Sequence, residues 1–325
     1  MDPKQLCDLA LDAARVATGI HARHAGELEV SEWGEKGEAD FVTRVDREAE
    51  ERAIARIRRD CPHHDILAEE SAELGGADAV RARFDGAEYL WVLDPLDGTT
   101  NYLHGYPAYA ASVAVAHRGE LVAGAVVDGT TGVSWTAWKG GGAYRDGAPI
   151  AVSEIDRLKH ALIGTGFPFK VLHLMPAYLR QFDAVIRRTS GVRRAGSAAL
   201  DLCHLASGWL DGFWELWLAP WDIAAGALIL REAGGRITTL DGDDDVRAAG
   251  AILSVDRVLV IGSQAIHASV DVEIRAPAQV HGRPMPGQIG GQLALVLGHA
   301  GQQGPRHVDA ETEAHGAPPA PERAP

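Results

Sequence analysis

The chain has 325 residues, of which 46% are hydrophobic, so it can bury a full core in one large or two closely joined domains. No apolar run approaches the roughly 20 residues that a membrane helix needs. Residues 1–12 carry acids and lack the apolar stretch of a signal peptide. We therefore expect a cytoplasmic protein that is not embedded in a membrane.

The chain is acidic, with 45 Asp and Glu residues against 31 Lys and Arg residues and a net charge of -14. This charge repels the phosphates of nucleic acids and membranes, which argues against either as a partner and suits a protein that binds cations. The three cysteines are widely spaced, as expected for reduced thiols rather than a disulfide framework.

Two amphipathic helices open the chain. Asp2 and Pro3 form a helix start, and apolar residues follow at helical spacing as far as Ile20. A second helical stripe begins at Asp46 and ends near Cys61.

A series of β-rich segments follows, at 65–68, 89–93, 112–116, 122–127 and 133–138, with a hairpin turn at 145–147. We expect the strand at 89–93 to end at Leu93, because Asp, Pro and Gly are rare inside strands and all three follow within five positions. This part of the chain is predicted to be a sheet flanked by helices.

After about Val152 strands and helices alternate. Strands are predicted at 161–164, 212–217, 237–239 and 258–261, and helices at 176–187, 197–206 and 221–233. Beyond residue 275 the chain is rich in Pro, Gly, Gln, Ala and His, which predicts disorder. We therefore divide the chain into an N-terminal half (1–152), a C-terminal half (153–275) and a disordered tail (276–325).

Acidic residues stand at the ends of predicted elements: Glu69, Glu70, Asp94 and Asp97 follow β segments, and Asp222 begins a helix. Carboxylates gathered at strand ends repel one another unless a cation holds them. Oxygen donors without His or Cys select Mg²⁺, Mn²⁺ or Ca²⁺. A metal site is the prediction.

The segment after Leu93 has the composition of a binding loop. Leu96 offers a carbonyl, and Gly98 permits a tight turn that directs Thr99 and Thr100 toward a phosphate. Any one Asp in such a segment is more often a turn or cap residue. The combination of two aspartates, a glycine and two threonines favours a site instead.

These residues resemble the inositol monophosphatase family. DPLDGTTNY at 94–102 is similar to the family motif D-P-[IL]-D-G-T-[TS]-N-[FY], and three further pieces agree in order and spacing: DFVTRVD at 40–46, AEES at 68–71 and WDIAAG at 221–226. The resemblance covers about residues 5–270 and is most like the bacterial inositol-1-monophosphatase type. Ala68, where Gly or Thr is common, Tyr102, where Phe is common, and the long tail depart from the pattern.

The resemblance implies an α/β fold built as a five-layer αβαβα sandwich, of the inositol monophosphatase and fructose-1,6-bisphosphatase type. It implies two or three Mg²⁺ ions held by Glu69, Asp94, Asp97, Asp222 and the carbonyl of Leu96. Thr99, Asp46 and Glu69 are the implied catalytic residues, with Thr99 orienting the attacking water and Asp46 supporting it. The implied substrate contacts are Gly98, Thr99, Thr100, Gly196, Ser197, Ala198, Glu215 and Asp222.

Two of these assignments have simpler alternatives. Lys36 lies where the family has a mobile flap over the metals, but an isolated lysine is as often only solvated. Ser197 has the sequence context of a helix N-cap, a role that is compatible with substrate binding.

We therefore expect a Mg²⁺-dependent phosphomonoesterase that acts on myo-inositol 1-phosphate and related polyol or sugar phosphates. The resemblance also implies a homodimer and inhibition by lithium. Other phosphatases of the superfamily stay open, namely fructose-1,6-bisphosphatase, bisphosphate nucleotidase and histidinol-phosphatase. A regulatory protein of this fold that acts through RNA or RNA polymerase is the alternative from another class.

Overall fold

The computed structural model of the chain describes residues 1–28, 33–37, 40–72, 77–239 and 258–262. Its α-helices are α1 (Pro3–His24), α2 (Arg44–Asp60), α3 (Ala77–Gly86), α4 (Thr99–Leu103), α5 (Met175–Ile186), α6 (Ala198–Ala206) and α7 (Pro220–Glu232). Its strands are β1 (Gly34–Gly37), β2 (Asp40–Val42), β3 (Asp65–Ala68), β4 (Tyr89–Asp97), β5 (Ala110–His117), β6 (Glu120–Asp128), β7 (Ser134–Trp138), β8 (Gly142–Arg145), β9 (Ala148–Pro149), β10 (Leu162–Thr165), β11 (Gly191–Arg193), β12 (Gly212–Leu216), β13 (Arg236–Thr239) and β14 (Val258–Gly262).

Side-chain caps define where the first two helices begin. The Asp2 carboxylate accepts a hydrogen bond from the backbone N–H of Gln5, and the Gln5 side-chain oxygen accepts one from the backbone N–H of Asp2. Thr43 caps α2, and its N–H and hydroxyl both donate to the Asp46 carboxylate. The helices predicted from periodicity are therefore confirmed, and the second one places Asp46 in its first turn.

Two sheets organise the fold. The larger sheet has seven strands in the order β3-β4-β5-β6-β7-β8-β9, in which β3 and β4 are parallel and the other neighbours are antiparallel. The smaller sheet has five strands in the order β11-β10-β12-β14-β13. A short hairpin of β1 and β2 stands apart from both sheets.

Three hydrophobic clusters arrange these elements in layers. One cluster joins α1 and α2 to one face of the seven-stranded sheet, and a second joins α6 and α7 to its opposite face. Helix α6 also contacts the five-stranded sheet, whose other face packs against α5 in the third cluster. The order is helices, sheet, helices, sheet, helix, which confirms the predicted five-layer αβαβα fold.

The prediction that the central strand ends at Leu93 is wrong. Strand β4 runs on to Asp97, and its antiparallel pairing with β5 skips from the pair Asp94–Ser112 to the pair Asp97–Ala110. The intervening bulge accommodates Pro95, which lacks a backbone N–H and is tolerated only where a ladder bond is missing. The acidic motif therefore forms an irregularity inside a strand rather than a loop after it.

Some elements of the structure were not predicted, and some predictions concern residues outside the described part of the chain. Helices α3 and α4 and strand β11 were not predicted. Gly234, which follows α7, has the left-handed conformation expected of a C-cap glycine. The predicted tail (276–325) lies outside the described residues. The boundary at Val152 stays a prediction. Within the described residues, no helix combines the length and apolar character needed to cross a membrane.

Candidate active site

The bulge in β4 gathers the motif residues at the end of the central strand. Asp94 is only 1% exposed, and its Oδ1 accepts a hydrogen bond from the backbone N–H of Leu96 at 2.9 Å. Gly98 follows with φ of 93°, and a Cβ there would lie 2.8 Å from the carbonyl oxygen of Ala108. Only glycine combines this left-handed backbone with so close a neighbour. The geometry of the turn therefore requires glycine at position 98.

Three carboxylates converge beside this turn. Asp94, Asp97 and Asp222 each offer an oxygen atom, and these atoms all lie within 4.8 Å of one another. Asp222 comes from the first turn of α7, where its Oδ2 accepts from the Ala219 N–H at 2.6 Å. Glu69 directly follows β3, and its backbone N–H donates to the Leu93 carbonyl of β4. Acids from three separate segments of the chain thus line one cavity.

Burial and mutual repulsion make these carboxyl groups reluctant to ionise. Burial, reinforced by Glu69, Asp97 and Asp222, raises the pKa of Asp94 well above its usual value. Burial also raises the pKa of Asp97 to about 6, against hydrogen bonds that favour its charged form, and that of Asp222 to about 7. Such a cluster is unfavourable for a bare protein and favourable for one that binds a divalent cation.

A hydrogen-bond chain runs from α2 to the turn. The hydroxyl of Thr99 lies 3.0 Å from Asp46 Oδ1 and 3.1 Å from the carbonyl oxygen of Leu96. The other oxygen of Asp46 accepts the two bonds from Thr43, at 2.8 Å from its N–H and 2.6 Å from its hydroxyl. Burial raises the pKa of Asp46, although these hydrogen bonds oppose the shift. The Asp46 carboxylate, in the first turn of α2, therefore fixes the orientation of the Thr99 hydroxyl.

The start of α6 forms a further side of the site. Ser197 is the N-cap of α6, as predicted, and its hydroxyl also donates to Asp97 Oδ2 at 2.5 Å, beside the N–H of Ala199 at 2.7 Å. Asn101 of α4 holds the segment that precedes α6, because its amide donates to the carbonyls of Ala108 at 2.6 Å and Ala195 at 2.9 Å. The position of one acid is thus set by two elements about a hundred residues apart.

These groups surround a cavity of about 360 Å³. Most of the predicted metal and substrate residues line it: Glu69, Asp94, Leu96, Asp97, Gly98, Thr99, Thr100, Gly196, Ala198, Glu215 and Asp222. Asp46 and Ser197 do not line the cavity, but each is hydrogen-bonded to a residue that does, Asp46 to Thr99 and Ser197 to Asp97. Lys36 has its backbone in β1, while its side chain lies outside the described part of the chain.

Another part of the cavity lining is aromatic and cationic. Arg194 lies over the rings of Phe167 and Phe169, with its guanidinium carbon 5.7 and 5.4 Å from the ring centroids. Burial raises the pKa of Glu215 well above its usual value, and Arg194 opposes that shift. A Cβ at Gly166 would overlap the Glu215 carboxylate, so a larger residue there would require the Glu215 side chain to move.

Some site residues escaped prediction from the sequence. Asp201 lines the cavity from α6, and burial raises its pKa well above the usual range. Lys170 and Arg194 also line the cavity and were not among the predicted site residues. Their signal lay in the GFPFK segment at 166–170, whose aromatic residues provide the wall that Arg194 covers. Glu70, counted among the acids, is absent from the cavity lining, and its N–H donates to Glu50.

Comparison with known proteins agrees with this geometry. The model of the inositol monophosphatase family matches residues 2–274. The chain belongs to the inositol monophosphatase family. The resemblance inferred from the motifs is therefore confirmed across all the elements that build the cavity.

Members of the inositol monophosphatase family that are similar to this chain carry two kinds of name. The chain is 41% identical to the Nus factor SuhB of Pseudomonas aeruginosa over 251 residues, which are 77% of this chain and 90% of the relative. It is 36% identical to an inositol-1-monophosphatase of Mesorhizobium japonicum over 254 residues, covering 78% and 92%. The crystal structure of the extragenic suppressor protein suhB of Bartonella henselae has a TM-score of 0.73 and 34% identity, covering 83% and 98%.

Proposed function

We propose that the chain is a Mg²⁺-dependent phosphomonoesterase that hydrolyses myo-inositol 1-phosphate and related polyol phosphates. The observation that carries this proposal is the meeting of Asp94, Asp97 and Asp222 within 4.8 Å in a cavity that Thr99 also lines. Membership of the inositol monophosphatase family supports a phosphatase. The substrate within that class is the finer part of the proposal.

The residues present fit Mg²⁺. The donor set is made of carboxylates and one carbonyl, without the His or Cys ligands that favour zinc, and like charges are crowded in a buried place. Two or three ions would be held by Glu69, Asp94, Asp97, Asp222 and the carbonyl of Leu96. A bound ion lowers the pKa of a water molecule and neutralises charge on phosphate oxygens.

Asp46 and Thr99 orient the attacking water in this proposal. The Thr99 hydroxyl has one proton, and when it is donated to Asp46 the lone pairs of Thr99 are left to accept a hydrogen bond from water. Asp46 keeps this arrangement because Thr43 already occupies its other oxygen. The water is thereby aimed by a carboxylate that never touches the substrate.

The remaining cavity residues divide between phosphate and polyol. Gly98, Thr99 and Thr100 lie at the turn, where their backbone amides suit a phosphate. Gly196, Ser197, Ala198 and Glu215, with Asp222, are proposed to face the hydroxyl groups of the substrate. Lys36, in the β1–β2 hairpin, is proposed as part of a flap over the metals.

A phosphate-release panel tests the substrate. The full chain is assayed with Mg²⁺ on myo-inositol 1-phosphate, fructose 1,6-bisphosphate, adenosine 3′,5′-bisphosphate and histidinol phosphate, with the Asp94→Asn variant as the blank for contaminating phosphatases. We expect the highest kcat/KM on the inositol phosphate. A higher value on one of the other substrates assigns the chain to that activity instead.

Three further properties belong to the same proposal, namely lithium inhibition, a homodimer and a cytoplasmic location. Lithium is expected to inhibit phosphate release at saturating Mg²⁺, whereas sodium at equal ionic strength is not. Light scattering on the purified full chain is expected to give twice the mass of 34.6 kDa. A monomeric mass at working concentration contradicts the dimer and leaves the phosphatase proposal in place.

A second candidate function comes from the relatives called Nus factors. Their name favours a regulatory role through RNA or RNA polymerase, and it does not support the expectation, drawn from net charge, that nucleic acid is an unlikely partner. Filter binding to RNA and capture of RNA polymerase, each with wild type and Asp94→Asn, test this role. Binding that survives in the variant indicates a function independent of catalysis, and no binding by either protein rejects it.

A further inference from the structure

One peptide group of the β4 bulge is held at both of its ends. The carbonyl oxygen of Pro95 lies 2.8 Å from Nε2 of His21, and the N–H of Leu96, in the same peptide group, donates to Asp94 Oδ1 at 2.9 Å. His21 lies in α1, which packs behind the seven-stranded sheet. A continuous hydrogen-bonded chain therefore runs from a helix outside the cavity to the most buried acid inside it.

The direction of this chain follows from chemistry. A carbonyl only accepts, so Nε2 carries the imidazole proton. The ring is fully buried, and burial lowers its pKa to about 4, so it is neutral at physiological pH and has a single N–H to donate. Both donors therefore point the same way, from His21 to the peptide group and from the peptide group to Asp94. Hydrogen bonds in series strengthen one another in a low-dielectric interior.

The ring of His21 is fixed on its other sides. Its centroid lies 5.9 Å from the rings of both Tyr102 and Tyr109, and the Tyr102 hydroxyl donates to the backbone carbonyl of His21 at 2.9 Å. The second ring nitrogen, Nδ1, is buried and has no hydrogen-bond partner among the described residues. The only hydrogen bond of this imidazole side chain within the described residues is thus the one to Pro95.

The bulge gives this bond its importance. The pairing of β4 with β5 skips from Asp94 to Asp97, and the pairing of β3 with the other edge of β4 ends at Leu93, so Pro95 has no registered strand partner on either side among the described residues. Without His21 that carbonyl would be left unsatisfied, and the peptide group would be free to rotate toward another donor. Rotation would withdraw the Leu96 N–H from Asp94 and turn the residue whose carbonyl is proposed to face the metal.

We propose that His21 is a positioning residue that orients the Pro95–Leu96 peptide group, and through it the Asp94 carboxylate, for divalent metal binding. This inference rests on the metal site proposed above. Partners behind a ligand typically contribute about 10- to 100-fold to metal affinity. Loss of the His21 bond is expected to weaken metal binding on that scale.

The test measures Mn²⁺ binding to the full chain by electron paramagnetic resonance, with manganese chloride alone as the probe and no substrate present. Three variants are compared: His21→Gln, whose amide nitrogen reaches as far as Nε2, His21→Asn, whose amide is shorter, and His21→Leu, which has no donor. Gln is expected to bind Mn²⁺ nearly as tightly as wild type, and Asn and Leu about 10- to 100-fold more weakly.

A matched control separates positioning from packing. Tyr102→Phe removes the hydroxyl that bonds the His21 backbone but leaves the Pro95 carbonyl satisfied. It is expected to lower the melting temperature in chelator without changing the Mn²⁺ dissociation constant. Equal Mn²⁺ affinity in wild type and a folded Asn or Leu variant overturns the inference, as does a Gln variant that binds as weakly as those two.

A second measurement on the unaltered protein covers variants that fail to fold. In histidine-labelled wild type, nitrogen NMR is expected to show His21 as the Nε2–H tautomer, with a resonance that moves during a Mg²⁺ titration. The Nδ1–H tautomer, or a resonance that does not move, overturns the inference. Wild type that binds Mn²⁺ but releases no phosphate contradicts only the proposed function, whereas wild type that binds no metal contradicts both.

Discussion

The Ser197 hydroxyl donates a hydrogen bond to the Asp97 carboxylate across 2.5 Å, and this bond joins the start of α6 to the end of β4. The bond lowers the pKa of Asp97 against the effect of burial, which alone favours the neutral acid. Ser197 therefore links the cap of a helix to the ionisation of a proposed metal ligand.

The Ser197→Ala variant is expected to lose both roles. Stability should fall by about 1 kcal/mol, as is typical when an N-cap is removed. The pKa of Asp97 should rise further, so the Mg²⁺ concentration for half-maximal turnover at neutral pH should increase by about tenfold. Urea unfolding in chelator and a Mg²⁺ titration of activity measure the two effects.

Ser153→Ala is the matched control for that variant. The Ser153 hydroxyl also lies 2.5 Å from a buried carboxylate, that of Asp211, but neither residue lines the cavity. This control should lose stability and keep the wild-type Mg²⁺ dependence. An unchanged Mg²⁺ dependence in Ser197→Ala as well would show that its bond to Asp97 has no influence on metal binding.

The Asn101 side chain, which joins α4 to the segment before α6, offers a further test. Asn101→Asp keeps the shape of the side chain but replaces the amide donor that satisfies the Ala108 and Ala195 carbonyls with an acceptor. The free energy of unfolding should fall by about 1–3 kcal/mol, and KM should rise because Ala195 precedes the proposed polyol contacts. Thr189→Val, which removes a side-chain bond to the Val185 carbonyl in the part of the chain near α5, should leave KM unchanged. An unchanged KM in Asn101→Asp would separate this bridge from substrate binding.

The raised pKa of Asp222, about 7, predicts how stability depends on pH in the absence of metal. Because the folded protein binds this proton more tightly than the unfolded chain, the stabilisation is present below about pH 4 and is lost as pH rises through about 7. Asp222→Asn cannot lose it. In chelator, the melting temperature of the variant minus that of wild type should therefore grow between about pH 5 and about pH 8. A constant difference would contradict the raised pKa.

Asp94→Asn tests the part of the acid cluster that is most buried. We expect Mg²⁺-dependent phosphate release to fall by more than about a hundredfold, the scale of losing one electrostatic stabiliser at a reacting phosphate. Asp128→Asn alters a carboxylate that accepts hydrogen bonds from the backbone N–H groups of Thr130 and Thr131, outside the cavity lining, and this variant should retain activity. Near-normal turnover in a folded Asp94→Asn variant would remove Asp94 from the proposed ligands.

Local patterns predicted much of this architecture. The helical spacing from Leu6 to Ile20 and the Asp2 cap are properties of neighbouring residues, and both are present in the fold. The motif 94–102 likewise identified the cavity, because its Gly and Asp residues conflict with the strand that precedes them. Local order and the site motif were readable since their causes lie within a few residues.

The rest depends on partners that are distant in sequence. Strand β4 continues past Pro95 because Ala110 of β5 resumes pairing with Asp97, which the residues of β4 alone do not specify. His21 has the helical spacing of a core position and gives no sign that a bulge carbonyl lies beside it. Arg194 likewise looks like a solvated charge until Phe167 folds beneath it.

The central claim is that these carboxylates form one divalent metal site, and thermal unfolding across a Mg²⁺ titration tests it most directly. A cation that binds only the native chain should add about 2.7 kcal/mol of stability at a hundred times its dissociation constant, enough to raise the melting temperature of wild type by several degrees. The comparison is made with Asp222→Ala, starting from chelator and at fixed ionic strength so that screening is not mistaken for binding. We predict that wild type shows the full shift and that Asp222→Ala loses most of it, even if the variant melts higher in chelator because one repelling charge is gone. No Mg²⁺-dependent shift in wild type, or an equal shift in both proteins, would contradict a shared metal site.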